Sequence, residues 1–90
     1  MPRIPVYGCK ELERALVILG FEIDSDRGKG GHKLAKHPTL KPVRGQAPYI
    51  TIKGLKEYAS ADFRSMVVKE IVSFGFTRDR VIAALNGETL

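Results

Sequence analysis

The sequence predicts an α+β domain in which an α-β-β-β-α core is followed by a short C-terminal helix. The three strands form an antiparallel meander, and the helices cover one face of it. Three observations carry this prediction. Leu12, Ala15, Leu16 and Leu19 recur at i, i+3, i+4 and i+7, the spacing of one helix face. Three short segments, FEIDSD, HKLAKH and PYITIK, alternate apolar and polar residues between turn-forming stretches. Phe63, Met66, Val67, Ile71 and Phe74 then return to helical spacing. Ninety residues make one domain, 1–90, with a modest core.

Taken in order, residues 1–8 read as extended, because Pro2 and Pro5 disfavour helix before them. Ile4 and Val6 are the candidates to face the core there. Residues 9–19 form the first helix, and Gly20 stops it. Residues 21–26 make the first strand, with Phe21 and Ile23 inward. Residues 32–37 make the second, with Leu34 inward and His32 on the same face by parity. Lys33 then faces away from His32. Residues 38–47 form a loop broken by Pro38 and Pro42. Residues 48–53 make the third strand, with Ile50 and Ile52 inward and Tyr49, Thr51 and Lys53 opposite. Ser60 caps the second helix, Gly75 ends it, and Thr77 caps a third helix carrying Val81, Ile82 and Leu85.

Fifteen Lys and Arg against ten Asp and Glu leave a net charge of +5, which favours an anionic partner such as nucleic acid. Cys9 is the sole cysteine, so neither an intrachain disulfide nor a thiolate zinc site is available, and a reducing, cytoplasmic setting fits. The longest apolar run, Ala15–Leu19, is far short of the ~20 residues a membrane span needs, so no membrane partner is expected.

Arg27–Pro38, RGKGGHKLAKHP, holds three glycines, four basic side chains and both histidines. Gly28, Gly30 and Gly31 permit a sharp turn, and successive bare amides in such a turn accept phosphate oxygens. His32 follows, with an imidazole able to take and return a proton near neutral pH. Lys29 and Lys33 flank it. This set can cut a phosphodiester without metal: His32 as general base on a ribose 2′-OH, and Lys29 stabilising developing charge. Lys33, Lys36 and Lys53, with the amides of Gly30 and Gly31, are the remaining candidate phosphate contacts. His37 reads as structural, Tyr49 as a base-stacking residue or a rim residue. Asp24 and Asp26 with His32 are a less favoured magnesium set; the preferred reading has no metal and no cofactor.

The chain resembles the HicA-type mRNA interferase toxins along nearly its whole length. IPVYGCKELERALVILGFE is similar to that family's opening lysine-leucine-proline, Gly-x-Glu-Leu helix and Gly-Phe. GKGGHKLAKHP is similar to its Lys-Gly-Ser-His turn and the strand ending His-Pro, ITIKG to its third strand, and FRSMVVKEIVSFGFTRDRVIAAL to its closing helices. The resemblance implies a double-stranded-RNA-binding-domain-like fold acting as an endoribonuclease on mRNA. It also implies His32 as the catalytic residue and a HicB-type antitoxin as protein partner. Gly31 stands where the family has serine. The alternatives are a non-catalytic RNA-binding module of the same fold and a subunit whose main task is to pair with an antitoxin.

Overall fold

The computed structural model describes residues 3–24, 33–43 and 45–88. Its elements run α1 (Cys9–Ile18), β1 (Glu22–Asp24), β2 (Lys33–Lys36), β3 (Ile50–Ile52), α2 (Ala61–Val72) and α3 (Arg78–Leu85). The sheet is antiparallel in the order β1-β2-β3. This is the α-β-β-β-α order with its extra C-terminal helix, as the patterning predicts.

Each helix begins and ends for a local reason. The Glu11 carboxylate accepts from the Gly8 amide at 2.9 Å, satisfying a donor that α1 leaves bare. At the other end the Phe21 and Gly20 amides turn back onto the Leu16 and Val17 carbonyls, with Gly20 at φ +93°. That conformation suits glycine, which has no Cβ to clash. The Ser60 and Thr77 hydroxyls accept from the amides of Phe63 and Arg80, as their cap assignments require. Gly87, at φ +85°, closes α3 in the same way as Gly20 closes α1.

The core lies between the helices and one face of the sheet. Leu12, Ala15 and Leu16 of α1 and Leu19 just after it are buried, as are Ile50, Ile52, Val81, Ile82 and Leu85. Three inward assignments change. In β2 it is Ala35, not Leu34, that is fully buried. Ala35 pairs with both Ile23 and Ile50, so these three share the helix-covered face, while Asp24, Leu34 and Thr51 lie in a row on the other. Flanked by two branched side chains, the central position holds a methyl group. In α2, Val68 is buried and Met66 is 48% exposed, because α3 packs beside α2 and draws its buried face round. In the N-terminal segment Val6 is exposed and Tyr7 is buried instead.

Tyr7 belongs to a seam that joins the first residues to the segment between β3 and α2. The Tyr58 amide donates to the Tyr7 carbonyl at 2.9 Å, and the Cys9 amide to the Leu55 carbonyl at 2.9 Å. The two tyrosine rings meet edge to face, 5.5 Å apart. Tyr7 donates its hydroxyl to the Arg64 carbonyl, and Tyr58 to the Lys53 carbonyl. Gly8 sits where the two backbones are closest: a Cβ there would fall 1.8 Å from the Lys56 carbonyl oxygen. Since the obstacle is main chain, no rotamer change relieves it.

Gly8→Ala is therefore expected to lower the urea unfolding free energy by about 2–3 kcal/mol, whereas Gly45→Ala, with nothing within 4 Å of its added Cβ, strains only its own φ. A Gly8→Ala chain as stable as wild type would contradict the seam. Burial pushes the Tyr58 phenol up to about 12, and the Tyr7 phenol is raised as well, chiefly by burial. In the unfolded chain both ionise near 10. Their contribution to stability is thus whole below about pH 10 and is lost as pH rises through about 12. Unfolding midpoints measured across that window are expected to fall, and to fall less steeply in Tyr58→Phe.

Candidate functional site

The β1–β2 pairing fixes where the candidate site enters the fold. Asp24, the last residue of β1, lies opposite Leu34, and Lys33, the first residue of β2, lies opposite Ile52, the last of β3. Residues 25–32 therefore join β1 to β2 at the end of the sheet where β3 leaves it. His32, Lys29, Gly30 and Gly31 fall on this connection and lie outside the described residues, as do Gly28 and Asp26.

The three remaining candidates are described, and they point three ways. Lys33 shares the helix-covered side with Ala35 and Ile52, and its amine reaches α1. Lys33 Nζ stands 3.3 Å and 3.2 Å from the two carboxylate oxygens of Glu13, with both side chains about one-third exposed. A phosphate must compete with that carboxylate for Lys33. Lys36 is exposed on the open face of the sheet, directly across from Glu22. Lys53 follows β3, and its side chain turns toward α2: the ammonium lies 4.8 Å from the centroid of the Phe63 ring, a cation–π contact. The three lysines thus do not form one continuous strip.

His37 has a structural task. Its Nδ1 accepts from the Thr39 and Leu40 amides at 3.2 and 3.0 Å, shaping the chain as it leaves β2. Its ring meets Phe21 edge-on at 5.1 Å. Nδ1 is thus held by two main-chain donors. Tyr49 stands before β3 and is 38% exposed. Among the described residues no group of three or more His, Cys, Asp or Glu converges on a cation position. Among the described residues no helix is long and apolar enough to cross a membrane.

No family model matches the chain, and no curated protein or solved structure matches it.

Two contributors were not legible beforehand. Glu13 reads as one more charge on the polar side of α1, and only the reversed parity of β2 brings Lys33 to it. Phe63 reads as a core residue and proves half-buried, with its face open to Lys53. A double-mutant cycle on Glu13→Gln and Lys33→Gln is expected to give a coupling of about 0.2–1 kcal/mol at low salt, shrinking in 1 M NaCl. A zero coupling at low salt would show that the pair does not anchor β2.

Proposed function

We propose that this chain is a metal-independent endoribonuclease that cleaves mRNA, with His32 as general base, and that it acts as the toxin of a HicA-type toxin–antitoxin pair. The observation that carries this reading is the element order: the domain has the helix and strand order that the family resemblance implies, with RGKGGH falling in sequence between the antiparallel strands β1 and β2. The net charge of +5 supports a polyanionic substrate.

In this mechanism His32 takes the proton of a ribose 2′-OH. The oxygen attacks the adjacent phosphorus, the bond from phosphorus to the 5′-oxygen breaks, and the departing oxygen is protonated from His32 or water. The products are a 2′,3′-cyclic phosphate and a 5′-hydroxyl. Lys29 and the amides of Gly30 and Gly31 hold the charge that builds on the non-bridging oxygens. The Glu13–Lys33 pair ties the first residue of β2 to α1. A HicB-type antitoxin would restrain the activity by covering this end of the sheet, and the cytoplasm, where mRNA is met, is the site of action.

Purified protein is expected to cleave mRNA in EDTA, and His32→Ala to lower the rate by at least about 10²-fold while unfolding at the same urea concentration. A folded wild type without cleavage, or an equally active His32→Ala, would remove the enzyme reading and favour a non-catalytic RNA-binding module.

A further inference from the structure

Beside the Lys53–Phe63 contact lies a small open cavity of about 250 Å³, lined by Lys53, Leu55, Tyr58, Ala59, Ser60 and Phe63. Its wall is two aromatic rings and an aliphatic side chain, with one ammonium at the rim. The rings stand edge to face at 5.1 Å, and Tyr58 is locked by its hydroxyl bond to the Lys53 carbonyl. Leu55, by contrast, is 53% exposed, an apolar side chain left in water beside an aromatic pocket. The volume falls below that of pockets that hold drug-sized ligands, and suits one planar ring system.

Its location links it to the candidate active site. Ile52 pairs with Lys33, so Lys53 leaves the sheet at the same end at which residues 25–32 enter β2. Lys53 also differs from Lys33 in what neutralises it. Lys33 is held by a carboxylate, whereas among the described residues no carboxylate pairs with Lys53, whose charge rests only on a ring face. Its ammonium is available to an anion without displacing an ion pair to any described residue.

We infer that this cavity is a nucleotide subsite: it takes one unpaired base of the RNA, with Lys53 on the phosphate of that nucleotide. The inference rests on the ribonuclease reading for its choice of RNA. It adds that the substrate is single-stranded near the cut, because a base held in a duplex presents only its edge and cannot enter a ring-lined pocket. Leu55 and the aromatic wall supply base-independent apolar contact, and Lys53 supplies the charge. Base preference at this position is therefore weak.

The test is a titration of the full chain, followed by amide NMR shifts and by anisotropy. The probes are a mixed-sequence single-stranded RNA dodecamer, 2′-O-methylated so that it resists cleavage, and the same strand annealed to its complement. The single strand is expected to shift the amides of Leu55, Ala59, Ser60 and Phe63, and to bind at least about tenfold more tightly than the duplex. Lys53→Gln is expected to weaken binding about tenfold and reduce the salt slope by about 0.7. Leu55→Asn, at an exposed position, is expected to weaken it at least about threefold with the salt slope unchanged. Shifts confined to other residues, equal binding of the duplex, or wild-type affinity in both variants would overturn the subsite. Cleavage scored separately on unmodified RNA distinguishes the two claims. A chain that cleaves without these shifts loses the subsite alone. A chain that shows them without cleaving keeps the subsite and loses the nuclease.

Discussion

The fold depends on a contact between two stretches of backbone that only a glycine allows. Where Gly8 meets Lys56 there is no room for a methyl group, and on either side of it main-chain hydrogen bonds run from Tyr58 to Tyr7 and from Cys9 to Leu55. These bonds tie the start of α1 to the segment that carries the chain from β3 into α2. Because the partners are some fifty residues apart in sequence, the seam closes the domain as a whole. The buried tyrosines fill the space beside it and satisfy their hydroxyls on carbonyls of the same region. Polar atoms brought into the interior need such partners.

From this seam the position of the candidate site follows by packing. With the start of α1 held, Leu12 and Leu16 seat its apolar side in the core. Glu13, next in sequence to Leu12, is then presented to the beginning of β2, where it takes the amine of Lys33. The residue that opens β2 is thereby bound to a helix as well as to β3. The same seam orients Tyr58, which supports the Lys53–Phe63 pocket at that end of the sheet. The start of β2 and the Lys53–Phe63 pocket thus both hang from one set of main-chain contacts.

Much of this was legible in the sequence, and the boundary is physical. The α1 stripe, the inward isoleucines of β3, the caps at Ser60 and Thr77 and the glycine stop at Gly20 are set by local period and local hydrogen bonding, so a linear reading finds them. The face of β2 is not legible in the same way, because HKLAKH offers one leucine and one alanine, and greater hydrophobicity points to the leucine. The sheet instead places the smaller side chain between Ile23 and Ile50 and turns Leu34 to the open face. The exposure of Met66 is not legible either, because α3 packs beside α2 and sets which side of it is buried, an effect of tertiary packing. Tyr7, Glu13 and Phe63 act through partners distant in sequence or brought close by that reversed parity. Of the site itself, the lysines were legible as charges but not their divergence: only Lys36 stands exposed on the open face, while Lys33 and Lys53 turn toward different helices.

The central claim is that a proton leaves a ribose hydroxyl and the strand is cut by its own sugar. End-group analysis of cleaved RNA measures this most directly. Fragments made in EDTA should carry a 2′,3′-cyclic phosphate on one side of the cut and a 5′-hydroxyl on the other, and RNA methylated at the 2′-oxygen should stay whole. Fragments ending in a 3′-hydroxyl and a 5′-phosphate would show that water, not the sugar, attacks phosphorus, and would contradict the mechanism.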